Sequence, residues 1–331
     1  MPYLNSISGP HITGPADATR IQDRIIEKVL FMKLTSAWLK TAAVAATLVL
    51  SLSACGGAST ASGPLPTDIK TVKIGVADGA EPYWQVYKKV VKEKAGVDVT
   101  FQNFSDYNQP NPALDEKQLD LNEFQHLQYL ANYNVKNGKN LQPIGATAVY
   151  PLPLYSKKYK SADEIPAGSE VAIPNDPTNQ ARSIIVLEQA GLIKVKGGAN
   201  SASTPANIDT AASKVKVVPV DAKLTAQNLG SVAAAIVNNN YATAAKLGDD
   251  LIIAKDDPNA ESTKPYINGF VARDEDKNNA TLLKIAALYH DPEVEAAVKK
   301  DLGTNGVFKD NSAADLQAAL KTIQENVQSA K

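Results

Sequence analysis

Cysteine is nearly missing from this chain: Cys55 is the single one among 331 residues. No disulfide can form within the chain, so the fold has to rest on its apolar core. Histidine is scarce too; His11, His126 and His290 lie far apart, with no Cys or His partner nearby to make a zinc site. No charge of one sign dominates. Residues 1–54 hold five of the 34 Lys and Arg and three of the 35 Asp and Glu, so the remainder carries 29 against 32, a net charge of −3. That is no electrostatic footprint for nucleic acid. Apart from residues 41–54 there is no long apolar run, and that one is too short to span a bilayer comfortably. The nucleophile-elbow, H-E-x-x-H, P-loop and G-x-G-x-x-G patterns are all absent, and nothing assembles a nucleophile with a base. Neither an enzyme nor a cofactor or metal site is expected. There is no repeat of 20–50 residues and no heptad run.

What is present begins at Leu52-Ser53-Ala54-Cys55, an apolar residue and two small ones before the cysteine. The short basic segment 32–40 and the apolar run 41–54 precede it, in the order of a secretory signal. The pattern predicts a lipidated Cys55 at the head of a protein held to the membrane on its extracytoplasmic face. The alternatives are an ordinary signal with an incidental Cys, or a short membrane span. Residues 1–31 fit neither signal nor folded domain, and Met32 is the expected true start. Residues 32–54 are then the signal peptide and 55–70, rich in Gly, Ser, Thr and Pro, a flexible tether.

Beyond the tether, strand and helix patterns alternate. Val72, Ile74 and Val76 alternate as in a strand, and Tyr83, Val86, Tyr87, Val90 and Val91 follow at helical spacing. Strands are expected near 97–101, 119–124, 141–149, 171–173, 215–220, 232–237 and 266–272. Helices are expected from Asn111-Pro112 (Asn as cap), over 125–137 and 179–190, and over 278–290, 292–302 and 313–328. This order predicts an α/β fold with mostly parallel sheets, and the length suits two lobes. Ligands in such sheets bind beyond the carboxyl ends of strands. Three strand ends are unusually polar or aromatic: 122–129, 174–182 and 238–241. In the second, turn and cap residues lead into a helix whose free N–H groups favour an anion. Arg182, near that N-terminus, opposes the helix dipole. It is either a bidentate partner for a carboxylate, a solvated surface residue, or half of a structural ion pair. His126 reads first as a packed, hydrogen-bonded residue, and Phe124 and Tyr129 as core or as pocket walls.

Taken together, Asn122-Glu123-Phe124-Gln125-His126, Val149-Tyr150-Pro151, the run from Ala172 to Asn179 with Arg182, Ile236-Val237-Asn238 and Pro265-Tyr266-Ile267-Asn268 resemble the methionine-binding lipoproteins of the NlpA type. These are substrate-binding components of ABC importers. The resemblance runs from about 71 to about 302. It implies a two-lobed periplasmic-binding-protein fold (type II), with two crossing strands near 149–155 and 262–270. Lobe 1 would comprise 71–150 and 266–331, with the C-terminal helices, and lobe 2 would comprise 151–265. By the same resemblance Arg182 would hold an α-carboxylate, and Asn179, Asn238 and Asn268 would supply amide groups. His126 would hydrogen-bond nearby, and Tyr107, Phe124, Tyr129 and Tyr150 would form an aromatic slot for a thioether. The implied partners are methionine or a close relative, ABC permease and ATPase subunits, and the membrane through lipid on Cys55. L-methionine, D-methionine, a methionine dipeptide and another small amino acid all fit. A surface scaffold and an exported enzyme on the same fold are the rival classes.

Overall fold

The structure, a computed structural model, describes residues 63–302 and 306–329. The expected start extension 1–31, the signal peptide 32–54 and Cys55 lie outside the described residues. Among the described residues no helix is long and apolar enough to cross a membrane.

Two sheets organise the chain. Strands β1 (Thr71–Val76), β2 (Asp98–Asn103), β3 (Leu121–Glu123), β4 (Gln142–Val149), β10 (Ile267–Ala272) and β11 (Val307–Phe308) form the first, in the order β11-β4-β10-β3-β1-β2. β1 lies parallel to β2 and β3, and β10 runs antiparallel to both β3 and β4. Strands β5 (Leu154–Tyr155), β6 (Glu170–Pro174), β7 (Lys216–Val220), β8 (Ala234–Ile236) and β9 (Ile252–Ala254) form the second, in the order β7-β6-β8-β5-β9. Its parallel centre is β7-β6-β8, with β5 antiparallel to β8 and β9. The chain passes between the sheets twice. The strands expected at the crossings, near 149–155 and 262–270, are present in part: residues 150–153 are irregular between β4 and β5, and the 3-10 turn Glu261–Tyr266 precedes β10. Pro151 and Pro153 in one link, and Pro258 and Pro265 in the other, lack the N–H that a ladder requires.

Helices cover both faces of each sheet. On the first, α1 (Tyr83–Ala95) buries Tyr83, Trp84, Tyr87, Val90 and Val91 at helical spacing, and Gly96 closes it at φ 71°. Trp84 meets Phe101 at 4.8 Å and Tyr87 stacks on Phe270 at 5.7 Å between ring centroids. Here α7 (Ala280–Ala287) and α8 (Pro292–Leu302) complete the layer. On the other face α2 (Pro110–Asp115), α3 (Leu127–Asn137) and α9 (Ala313–Ser329) bring Leu114, Leu130, Leu316 and Leu320 onto Val149 and Val271. On the second sheet, α4 (Pro177–Gln189) covers one face, and α5 (Thr225–Asn228) and α6 (Asn239–Ala244) the other.

Two local expectations fail. Asn111 does not cap α2; Gln109 stands at that position and Pro110 opens the helix. Asn111 is instead buried, exchanging two hydrogen bonds with Gln125 at 2.6 and 2.7 Å and accepting one from Asn122 at 3.0 Å. A buried amide is stable only when so partnered, and this one found its partners across the sheet end. Residues 65–67, expected in a flexible tether, are held. Asn279 caps α7 with its Oδ1 and donates through Nδ2 to the carbonyls of Leu65 and Pro66 at 3.2 and 3.0 Å, while Leu65 N–H donates to Asp276 at 2.6 Å.

Candidate ligand-binding cleft

The carboxyl ends of β1, β3, β6 and β8, the first link (Tyr150, Pro151 and Leu152) and Asn268 of β10 border a cavity of about 80 Å³. All nine residues singled out above line it: Tyr107, Phe124, His126, Tyr129, Tyr150, Asn179, Arg182, Asn238 and Asn268. Asp78, Glu123 and Asn240 also line it.

Helix caps fix the polar end. Asp176 caps α4, accepting from the Asn179 N–H at 2.9 Å, the Asn179 amide at 3.1 Å and the Thr178 hydroxyl at 3.1 Å. Burial raises the Asp176 carboxyl, and these bonds pull it back. A carboxylate only accepts, so the Asn179 amide must turn its NH2 to Asp176 and its Oδ1 away. That Oδ1 accepts from Asn238 Nδ2 at 3.0 Å, which leaves Asn238 Oδ1 buried without a hydrogen-bond partner among the described residues. His126 caps α3, its Nδ1 accepting from the Tyr129 N–H at 3.1 Å. The ring proton therefore sits on Nε2, 3.4 Å from Asn179 Oδ1. Burial, and secondarily the Arg182 charge, lowers the His126 pKa to about 3, so the ring stays neutral.

Arg182 is 4% exposed and serves two roles at once. Its Nε pairs with Asp256 at 2.7 Å, its Nη2 donates to the Tyr150 carbonyl at 2.8 Å, and its guanidinium lies 4.2 Å from the centre of the Tyr266 ring. Asp256 also accepts from the Leu152 N–H at 2.8 Å. Arg182 thus ties both links together while lining the cavity. The bidentate grip expected for a ligand is not free, because two of its three nitrogens are engaged; Nη1 alone has no hydrogen-bond partner among the described residues. Asn268 pairs as an isolated bridge with His126, its Nδ2 donating to the Tyr266 carbonyl at 3.1 Å.

Aromatic rings form one wall. Phe124 meets Tyr129 edge-on at 5.8 Å and Tyr107 at 6.0 Å. The sheets meet across the cavity mouth. Tyr107 donates its hydroxyl to Asn240, Asn240 Nδ2 donates to the Ala77 carbonyl at 3.3 Å, and Tyr241 donates to the Ser105 carbonyl at 3.2 Å. Lys223 pairs with Asp106 at 2.8 Å.

Asp78 and Glu123 were not among the expected site residues. Asp78 follows β1 by two positions, where the strand-end rule points, and Glu123 lies inside one of the three polar strand ends. Asp78 accepts from the Tyr83 hydroxyl at 2.5 Å and Trp84 Nε1 at 2.9 Å, and burial raises its pKa. Glu123 accepts from the Thr147 hydroxyl at 2.9 Å; burial, with the Asp78 charge behind it, pushes its pKa up to about 8. Asp256, the Arg182 counterion, carries no sequence signal: it sits in a loop far along the chain.

The chain is similar along most of its length to proteins of one known family. The family model described as NlpA lipoprotein matches residues 72–312. The D-methionine-binding lipoprotein MetQ of Salmonella typhi is 38% identical over 265 residues, covering 79% of this chain and 94% of the relative. Protein PG110 from Staphylococcus aureus superposes with a TM-score of 0.73 at 35% identity, over 76% of this chain and 99% of the other. A nutrient-binding protein from Burkholderia cenocepacia, bound to methionine, gives 0.66 at 36% identity, over 72% and 99%.

Proposed function

We propose, from the premise that the chain belongs to the NlpA lipoprotein family, that it is the extracytoplasmic substrate-binding protein of an ABC importer and captures methionine or a close relative. Lipid on Cys55 holds it at the membrane, where it delivers its ligand to a permease driven by a cytoplasmic ATPase. The observation that carries the reading is the buried Asn238 Oδ1 with no donor to satisfy it. A buried acceptor in that condition is costly, and an ammonium N–H supplies what it lacks. Arg182 Nη1 takes the α-carboxylate, with the neutral His126 and Asn179 alongside. Asn268 faces the same ligand from β10. The side chain lies among Tyr107, Phe124, Tyr129 and Tyr150, where a polarisable thioether gains about 0.3–1.5 kcal/mol at ring edges.

The test is a thermal-shift series on the full chain, unfolded and refolded to strip ligand, with L-methionine, D-methionine and glycyl-methionine. Ligand at a hundred times Kd stabilises the folded state by about 2.7 kcal/mol. A rise in Tm with at least one of the three, abolished by Asn238→Ala, is expected. No rise with any of them removes the methionine reading.

A further inference from the structure

Among the described residues the two carboxylates in the cavity have no cationic partner. Arg182 is the only Lys or Arg among the described residues that line it, and its charge is already matched by Asp256 at 2.7 Å. Asp78 is held by the neutral donors Tyr83 and Trp84. Glu123, 7% exposed, uses Oε1 to accept from Thr147, while Oε2 has no hydrogen-bond partner among the described residues. Asp78 and Glu123 act on one another and on Tyr150, whereas the Arg182 charge bears on His126 and Tyr266. Asp78 and Glu123 reach the cavity from the ends of β1 and β3 in the first sheet, and Asn179, Arg182 and Asn238 from the ends of β6 and β8 in the second, so the cavity has one end of arginine and amides and another that is acidic.

A zwitterion with an apolar side chain matches only the first end. It brings no positive charge to the second, where burial leaves Asp78 and Glu123 to hold a proton in place of a cation. We propose that Glu123, with Asp78 behind it, selects a side chain ending in an ammonium, so that the cleft takes a basic amino acid of methionine's length more tightly than methionine itself. The proposal rests on the reading of the cleft as an amino-acid site and narrows its ligand class. The ammonium donates to Glu123 Oε2, and its charge offsets the mutual repulsion of the two carboxylates. Methionine, of equal length but neutral, enters with a proton held on the pair.

Titration calorimetry of the ligand-stripped full chain at pH 7 with L-ornithine, L-norleucine and L-methionine tests this. The three side chains have the same number of non-hydrogen atoms and differ in the charge of the tip. L-ornithine is expected to bind about tenfold to a hundredfold tighter than L-norleucine, the worth of a charge-assisted hydrogen bond. In Glu123→Gln that ratio collapses toward one. Asp78→Asn, a second variant that narrows the ratio, guards against misfolding of the first. Wild-type protein that binds L-methionine and L-norleucine but binds L-ornithine no better overturns the proposal and leaves the amino-acid site standing. Binding of none of the three overturns both.

Discussion

Glu123 and His126 stand three residues apart at the end of one strand, and the same burial drives them in opposite directions. Each is pushed toward its neutral form, Glu123 to about 8 and His126 to about 3. For Glu123 the folded state keeps a proton that the unfolded chain has released, so its contribution is present below the ordinary carboxylate pKa and lost as pH rises through about 8. For His126 the unfolded chain takes up a proton that the folded state refuses. Stability is then lost as pH falls from the ordinary histidine value toward about 3. Ligand-free Glu123→Gln should therefore gain on the wild type as pH rises from 5 to 8, at up to about 1.4 kcal/mol per pH unit. Urea unfolding at the two pH values reads the difference directly. A gap independent of pH would mean that the Glu123 charge is not what burial penalises. The sequence marked the stretch around Glu123 but not its role. Its perturbation comes first from burial and then from Asp78 at a different strand end, and a pattern read along the chain shows neither the burial nor the meeting of two strand ends. Arg182 shows the same boundary: its discord with the helix dipole is visible in the sequence, and its counterion Asp256 is not.

At the scale of the element, the cleft is built from caps. Asp176 and His126 each end a strand-to-helix turn, and each uses its cap bond to orient a neighbour as well as to start a helix. Asp176→Ala removes the cap of α4, at about 1 kcal/mol of stability. It also frees the Asn179 amide to rotate, which undoes the orientation of Asn238. Binding is expected to fall by far more than stability does, and chemical denaturation beside calorimetry separates the two. Equal losses would make Asp176 a structural cap and nothing else. Most elements were readable because apolar spacing is local: Val72, Ile74 and Val76 define β1, and Tyr83, Tyr87, Val90 and Val91 define one face of α1. The start of α2 was misread at Asn111 because a good capping residue preceded a proline. Its side chain served better in the buried amide cluster with Gln125 and Asn122. The crossing strands near 149–155 and 262–270 were expected from the family resemblance; the prolines interrupt them at 150–153 and ahead of β10.

At the scale of the whole molecule, the two sheets are held together across the cleft by contacts at the mouth and by Arg182 at the links. Lys223 and Asp106 meet across the mouth, and this bond lowers the Asp106 pKa. Both side chains are partly exposed, so salt should screen the pair. Lys223→Ala is expected to speed ligand release a few-fold at low ionic strength. In about 1 M salt, where the Debye length is near 3 Å, the variant and wild type should converge. Stopped-flow fluorescence gives the release rate, and a difference that survives high salt would assign the effect to packing. The two-sheet arrangement followed from the alternation of elements. The mouth contacts did not, since each joins residues that only the folded chain makes neighbours.

Arg182 has a mechanical consequence. Its guanidinium touches Tyr150 in one link and Asp256 and Tyr266 in the other, while lining the cavity. Any rotation of one sheet against the other turns about those links, so a force applied at Arg182 acts close to the fulcrum. A displacement there of a fraction of an ångström is multiplied along the arm to the rim, where Lys223 faces Asp106. Filling the pocket and setting the width of the mouth then become one degree of freedom rather than two. A partner that feels only the rim can read from its gape whether the pocket is full.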